Sequence, residues 1–111
     1  MSTQSADDTP VTFINVFDIP ADEVDTFIAQ WEQRSRLITS AKGFISAELH
    51  RAVDSETQFQ LINVAKWRSR ADFEAATTAP QFTTELDAYA SQSSSTWTPH
   101  RGIYRVAAKF D

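Results

Sequence analysis

Apolar residues run together or alternate in four short segments and recur at helical spacing in two others. Residues 11–19, Val-Thr-Phe-Ile-Asn-Val-Phe-Asp-Ile, and residues 59–67, Phe-Gln-Leu-Ile-Asn-Val-Ala-Lys-Trp, are rich in β-branched and aromatic side chains over ordinary strand length. A further strand is predicted over 44–53, joined to 59–67 through Asp54-Ser55-Glu56 as a hairpin. The last is predicted over 102–110.

Between these, Asp22 and Glu23 suit the positive end of a helix whose Val24, Phe27, Ile28, Trp31 and Ile38 follow helical spacing, with Gly43 as its stop. Ser69-Arg70-Ala71-Asp72 resembles a capping box with Asp in place of Glu. The helix it opens carries Phe73 and Ala76, restarts at Pro80, and directs Phe82, Leu86 and Tyr89 or Ala90 inward, ahead of a polar loop over 91–95. The order β-α-β-β-α-β predicts an α+β, ferredoxin-like split βαβ domain over residues 11–111, behind a flexible arm of residues 1–10. The first and third strands are expected to be the central pair, adjacent and parallel.

Strand residues two apart share a face. Asn15 therefore points with Val11, Phe13, Phe17 and Ile19, and Asn63 with Phe59, Leu61, Ala65 and Trp67. A carboxamide buried without partners costs on the order of a few kcal/mol, so a repeat on two strands suggests a pocket that needs amides. Trp67 lies roughly 13 Å beyond Asn63 along its strand. A cavity between helices and sheet is expected, lined by Asn15, Asn63 and Trp67, with Phe13, Phe17, Phe27, Trp31, Phe73 and Phe82 as apolar walls. On the other face Ile14, Val16, Ile62 and Val64 are apolar with no helix left to cover them, which predicts a homodimer packing sheet on sheet.

Composition narrows the function. A net charge of −5 without a Lys/Arg cluster argues against nucleic acid or an anionic membrane as main partner. The absence of Cys removes thiolate metal sites and Cys nucleophiles. Only two glycines leave no dinucleotide or phosphate loop. No nucleophile elbow and no membrane-length apolar run occurs, and a cytoplasmic protein is expected. His50 and His100 are expected at the surface, and the Arg34/Arg36 and Arg68/Arg70 pairs on solvated faces.

The segments around Asn15, Gly43-Phe44-Ile-Ser-Ala, and Asn63-Val-Ala-Lys-Trp67 with Phe73 following resemble the antibiotic biosynthesis monooxygenase family of dimeric α+β barrels. The likeness spans roughly residues 11–110 and is nearest to cofactor-free anthrone oxygenases of aromatic polyketide pathways. It implies O₂-dependent oxidation of an electron-rich polycyclic anthrone, phenol or quinol to a quinone, with no metal, flavin or haem. Some members use an Asn in the first strand and an Asn-x-x-x-Trp in the third, a pattern that Asn15, Asn63 and Trp67 match. Others have a Tyr where Phe73 stands, so the likeness is to the two-Asn group. The haem-degrading branch ligates iron through a His on the later helix, and residues 69–90 contain none. A non-catalytic small-molecule-binding dimer, or a haem-binding relative using His50 or His100, stands as the alternative.

Overall fold

The computed structural model describes residues 9–80, 82 and 98–111. Among the described residues, six principal elements follow in the predicted order: β1 Val11–Asp18, α1 Val24–Ser35, β2 Phe44–Arg51, β3 Leu61–Trp67, α2 Arg70–Thr77 and β4 Thr98–Tyr104. The four strands form one sheet in the order β2-β3-β1-β4, giving the ferredoxin-like α+β fold.

All three strand pairs are antiparallel, including the central β1–β3 pair, which corrects the expected parallel arrangement. The reason is connectivity. The α1 crossover leaves β2 running with β1, and the β2–β3 hairpin then reverses the chain, so β3 must oppose both. The register sets Asn15 directly opposite Asn63 and Val11 opposite Trp67. Directly opposed residues of an antiparallel pair share a face, so the two carboxamides meet.

Element ends also shift. A 3-10 turn over Ala21–Glu23, closed by Glu23 N–H donating to the Pro20 carbonyl at 3.0 Å, precedes α1. Helix α1 ends at Ser35, well before Gly43, and a series of i→i+3 turns continues the chain. Those turns carry Ile38 and Ala41 onto the cluster around Trp67. Gly43 keeps a special role with φ +86°, but at the entry to β2, where its carbonyl accepts from Arg68 N–H at 2.8 Å. A Cβ there would collide with the Asp72 side chain. In the hairpin, Asp54 Oδ1 accepts from the backbone N–H of both Glu56 and Thr57, an Asx turn.

Helix α2 is capped as its sequence predicts: Ser69 Oγ accepts from Asp72 N–H at 3.1 Å, a contact worth about 1 kcal/mol. Strand β4 begins four residues earlier than expected and stops at Tyr104, because its extent is set by pairing with Thr12–Asp18 of β1. Pro99 is tolerated there because β4 is an edge strand. Residues 1–8 of the expected arm, the inward positions Leu86, Tyr89 and Ala90, and the 91–95 loop lie outside the described residues.

Two apolar clusters occupy the helix-covered face. One joins Phe17, Ile19, Val24, Phe27 and Leu61; the other joins Val11, Ala65 and Trp67, with Phe13, Phe44 and Phe73 packed on it. In sheet rows, the first cluster holds Phe17–Leu61 and the second Phe13–Ala65 and Val11–Trp67. The Asn15–Asn63 row lies between them and interrupts the core.

Candidate active site

A cavity of about 830 Å³ opens over that row, within the range of about 300–1,000 Å³ usual for small-molecule sites. Its floor is the sheet and its walls come from α1, α2 and the turns after α1. Asn15, Asn63 and Trp67 all line it, as do Phe13, Phe17, Trp31, Phe73 and Phe82. Phe27 does not. It is 2% exposed within the first core cluster, where its ring lies 4.5 Å from that of Phe17. At the start of α1, its stripe position meets the closed end of the sheet, whereas Trp31, one turn on, reaches the cavity.

The asparagines are the unusual feature. The Oδ1 atoms of both Asn15 and Asn63 are buried with no hydrogen-bond partner among the described residues, and Asn15 as a whole is only 9% exposed. Buried polar side-chain atoms are nearly always paired in folded proteins, so two orphans facing each other need a reason. Both side chains line one cavity, where each carboxamide can present N–H donors to whatever enters.

Trp67 is 2% exposed and locked by edge-to-face packing on both sides. Its ring centroid lies 5.4 Å from Phe44 at 86° and 5.6 Å from Phe73 at 80°. Phe73 in turn lies 4.8 Å from Phe13. Phe13, Phe73, Trp67 and Phe44 thus form a continuous aromatic wall, suited by shape and polarisability to a flat ring system.

Arginine enters the site from places the sequence did not single out. Arg34 and Arg70, expected on solvated faces, line the cavity, and so do Arg101 and Arg105. Arg34 lies over the Phe27 ring at 5.4 Å, and Arg70 Nε donates to Glu74 Oε2 at 3.0 Å. Arg101 was hidden because the last strand was expected to begin at Gly102. In β4 it stands opposite Asn15, which puts it on the cavity face. The histidines go the other way. His50 pairs with Ile62 and His100 with Val16, both on the outer face. There His50 Nε2 lies 3.3 Å from Glu48 Oε1, and His100 packs on Phe59. Among the described residues, no group of three His, Cys, Asp or Glu side chains is placed to hold a metal ion, and no helix is long and apolar enough to cross a membrane.

Comparison with known proteins supplies the family. The profile of the antibiotic biosynthesis monooxygenase family matches residues 10–85. The chain is 33% identical over 90 residues to the tetracenomycin-F1 monooxygenase of Streptomyces glaucescens, covering 78% of this chain and 76% of that one. The structure of SnoaB, a cofactor-independent oxygenase from Streptomyces nogalater, superposes with a TM-score of 0.70 at 21% identity, over 91% of this chain and 96% of that one. A heme-degrading protein of Mycobacterium tuberculosis superposes with a TM-score of 0.66 at 18% identity, over 93% and 100% of the two chains. At those identities the two structures speak for the fold; the profile and the Streptomyces glaucescens relative carry the kinship. The chain belongs to the antibiotic biosynthesis monooxygenase family.

Proposed function

We propose that the protein is a cofactor-independent monooxygenase that oxidises an electron-rich polycyclic anthrone, phenol or quinol with O₂ to a quinone. The observation that carries this reading is the pair of buried, unpartnered Asn15 and Asn63 oxygens in a cavity walled by aromatic rings. Carboxamide N–H groups pair with an anionic or carbonyl oxygen, and an oxygenated polycycle offers one on its rim.

The substrate itself is the electron source. Loss of an acidic C–H proton to water gives an enolate, which passes one electron to O₂. The resulting radical and superoxide combine, forming a C–O bond, and the peroxide takes a proton from water. Loss of the second C–H proton breaks the O–O bond and expels hydroxide, which leaves as water. The sum is anthrone plus O₂ to quinone plus water. The protein's part is to hold the oxyanion with the Asn15 and Asn63 N–H groups, by the oxyanion-hole principle, and to keep the ring flat against the Trp67 wall.

The same reading makes the outer face, with half-buried Ile14, Val16, Ile62 and Val64, a homodimer interface. Sedimentation equilibrium is expected to report twice the chain mass of 12.5 kDa. For the activity, purified protein is incubated in air with a simple anthrone, without added metal, flavin or haem. Protein-dependent quinone formation with one O₂ consumed per quinone is the expected result. Rates equal to the protein-free control would overturn it, and tight ligand binding without O₂ uptake would identify a receptor instead.

A further inference from the structure

Charge in the cavity runs against charge in the chain. The protein carries 15 acidic and 10 basic residues, yet no Asp or Glu is found among the described residues that line the cavity. The charged and titratable groups facing it are Arg34 from α1, Arg70 from α2, and Arg101, Tyr104 and Arg105 from β4 and the residue after it; β1, β2 and β3 contribute none. A concave, apolar-walled site lined by one sign of charge focuses its potential on an incoming anion.

Arg101 differs from the others. Arg70 is committed to Glu74, and Arg34 is held over Phe27. Arg101 has no ion pair or hydrogen bond with any described residue. Its position is also special, because the strand pairings set Asn63, Asn15 and Arg101 in one row across the sheet. At the usual strand spacing, that row runs about 10 Å from first to last, close to the length of a linear three-ring system.

We propose that Arg101 is the counter-ion of the substrate oxyanion, completing with Asn15 and Asn63 a row of donors that binds the polycycle in its deprotonated form. The inference rests on the function proposed above and adds to it the group that makes loss of the C–H proton to water favourable in a cavity with no carboxylate or imidazole on its described lining. Arg101 makes the enolate the favoured bound state, so the proton departs to water and no strong protein base is required. A guanidinium is suited to this because it stays charged at every working pH and donates in a fixed plane.

The experiment compares wild type, Arg101→Gln and Arg101→Lys in two ways. The first is the pH profile of kcat on an anthrone. Arg101→Gln is expected to lower kcat by about three- to tenfold at neutral pH, the scale of one charge-assisted hydrogen bond from an exposed arginine. Raising the pH by about one unit is expected to restore it, and Arg101→Lys to recover most of the loss. A lost contact that merely loosened the fold would not move the profile along the pH axis. The second readout needs no turnover. 1,2-Dihydroxyanthraquinone, whose phenolate absorbs at longer wavelength than the phenol, is titrated against pH when bound. Wild type is expected to shift its ionisation to lower pH, and Arg101→Gln to abolish that shift. Identical ionisation in both proteins, or no binding of the dye to wild type, overturns the proposal. A wild type that shifts the dye but consumes no O₂ overturns the oxygenase reading and leaves the Arg101 assignment standing.

Discussion

Replacing Asn63 or Asn15 by Ala is expected to lower kcat/KM on an anthrone by about 10²–10³-fold, the loss seen when one donor is removed from an oxyanion site. The same variants are expected to melt no lower than the parent, and by a few degrees higher if the orphaned oxygen is as costly as its burial implies. In the native protein each Oδ1 is buried without a partner. An unsatisfied buried polar group costs about 1–3 kcal/mol, so deleting it removes a penalty. Truncation to Ala in an ordinary core opens a new void, but here the side chain already borders a cavity of about 830 Å³. Opposite signs for activity and stability are the mark of a side chain kept for chemistry. Thermal melts and steady-state kinetics on the same preparations test it. A variant that loses stability and keeps its activity would make Asn15 and Asn63 structural.

Trp67→Ala is the larger blow to the fold. The indole is 2% exposed and packed between Phe44 and Phe73, so its loss is expected to destabilise by about 3–5 kcal/mol. That is a large share of the roughly 5–15 kcal/mol that holds a domain of this size. Trp67→Phe separates the two roles of the residue. It keeps most of the aromatic wall but loses the N–H together with the five-membered ring that carries it. Urea melts should show a far smaller stability loss, whereas kcat is expected to fall about tenfold if the indole N–H bonds to the substrate. If Trp67→Phe matches wild-type kcat, the ring serves as wall alone. The comparison is informative because the two edge-to-face contacts fix the indole plane, so its N–H has one direction to offer.

How much of this was readable beforehand depends on whether a feature is local. Strand and helix identity, the Ser69 cap, and the hairpin at Asp54 all follow from nearest-neighbour chemistry. Asn15 and Asn63 stand out because each breaks an apolar strand, and Trp67 because Asn63 and Trp67 match the Asn-x-x-x-Trp pattern of the family that the chain resembles. Helical spacing predicts Phe27 on the cavity face but the ring packs in the closed core, because periodicity says which face is buried and not what lies opposite each turn. Helix α1 stops at Ser35, short of the predicted Gly43, for a similar reason. Ile38 continues the apolar spacing, yet it reaches the core through tight turns.

By itself, then, the sequence determined the element order, the fold class and the two polar interruptions at Asn15 and Asn63, since these depend on residue type and short-range spacing. Only the tertiary structure decided that β1 and β3 run antiparallel, that the two carboxamides stand directly opposite one another, and that Arg101 completes their row. The physical reason is register. A strand's residues alternate faces whatever its partners are, but which residue stands beside which is set by the pairing of distant segments. A shift of one position would turn every side chain of the strand to the other face. The candidate site is a property of that pairing: Asn63, Asn15 and Arg101, from three strands, come to share one row only once the sheet has closed.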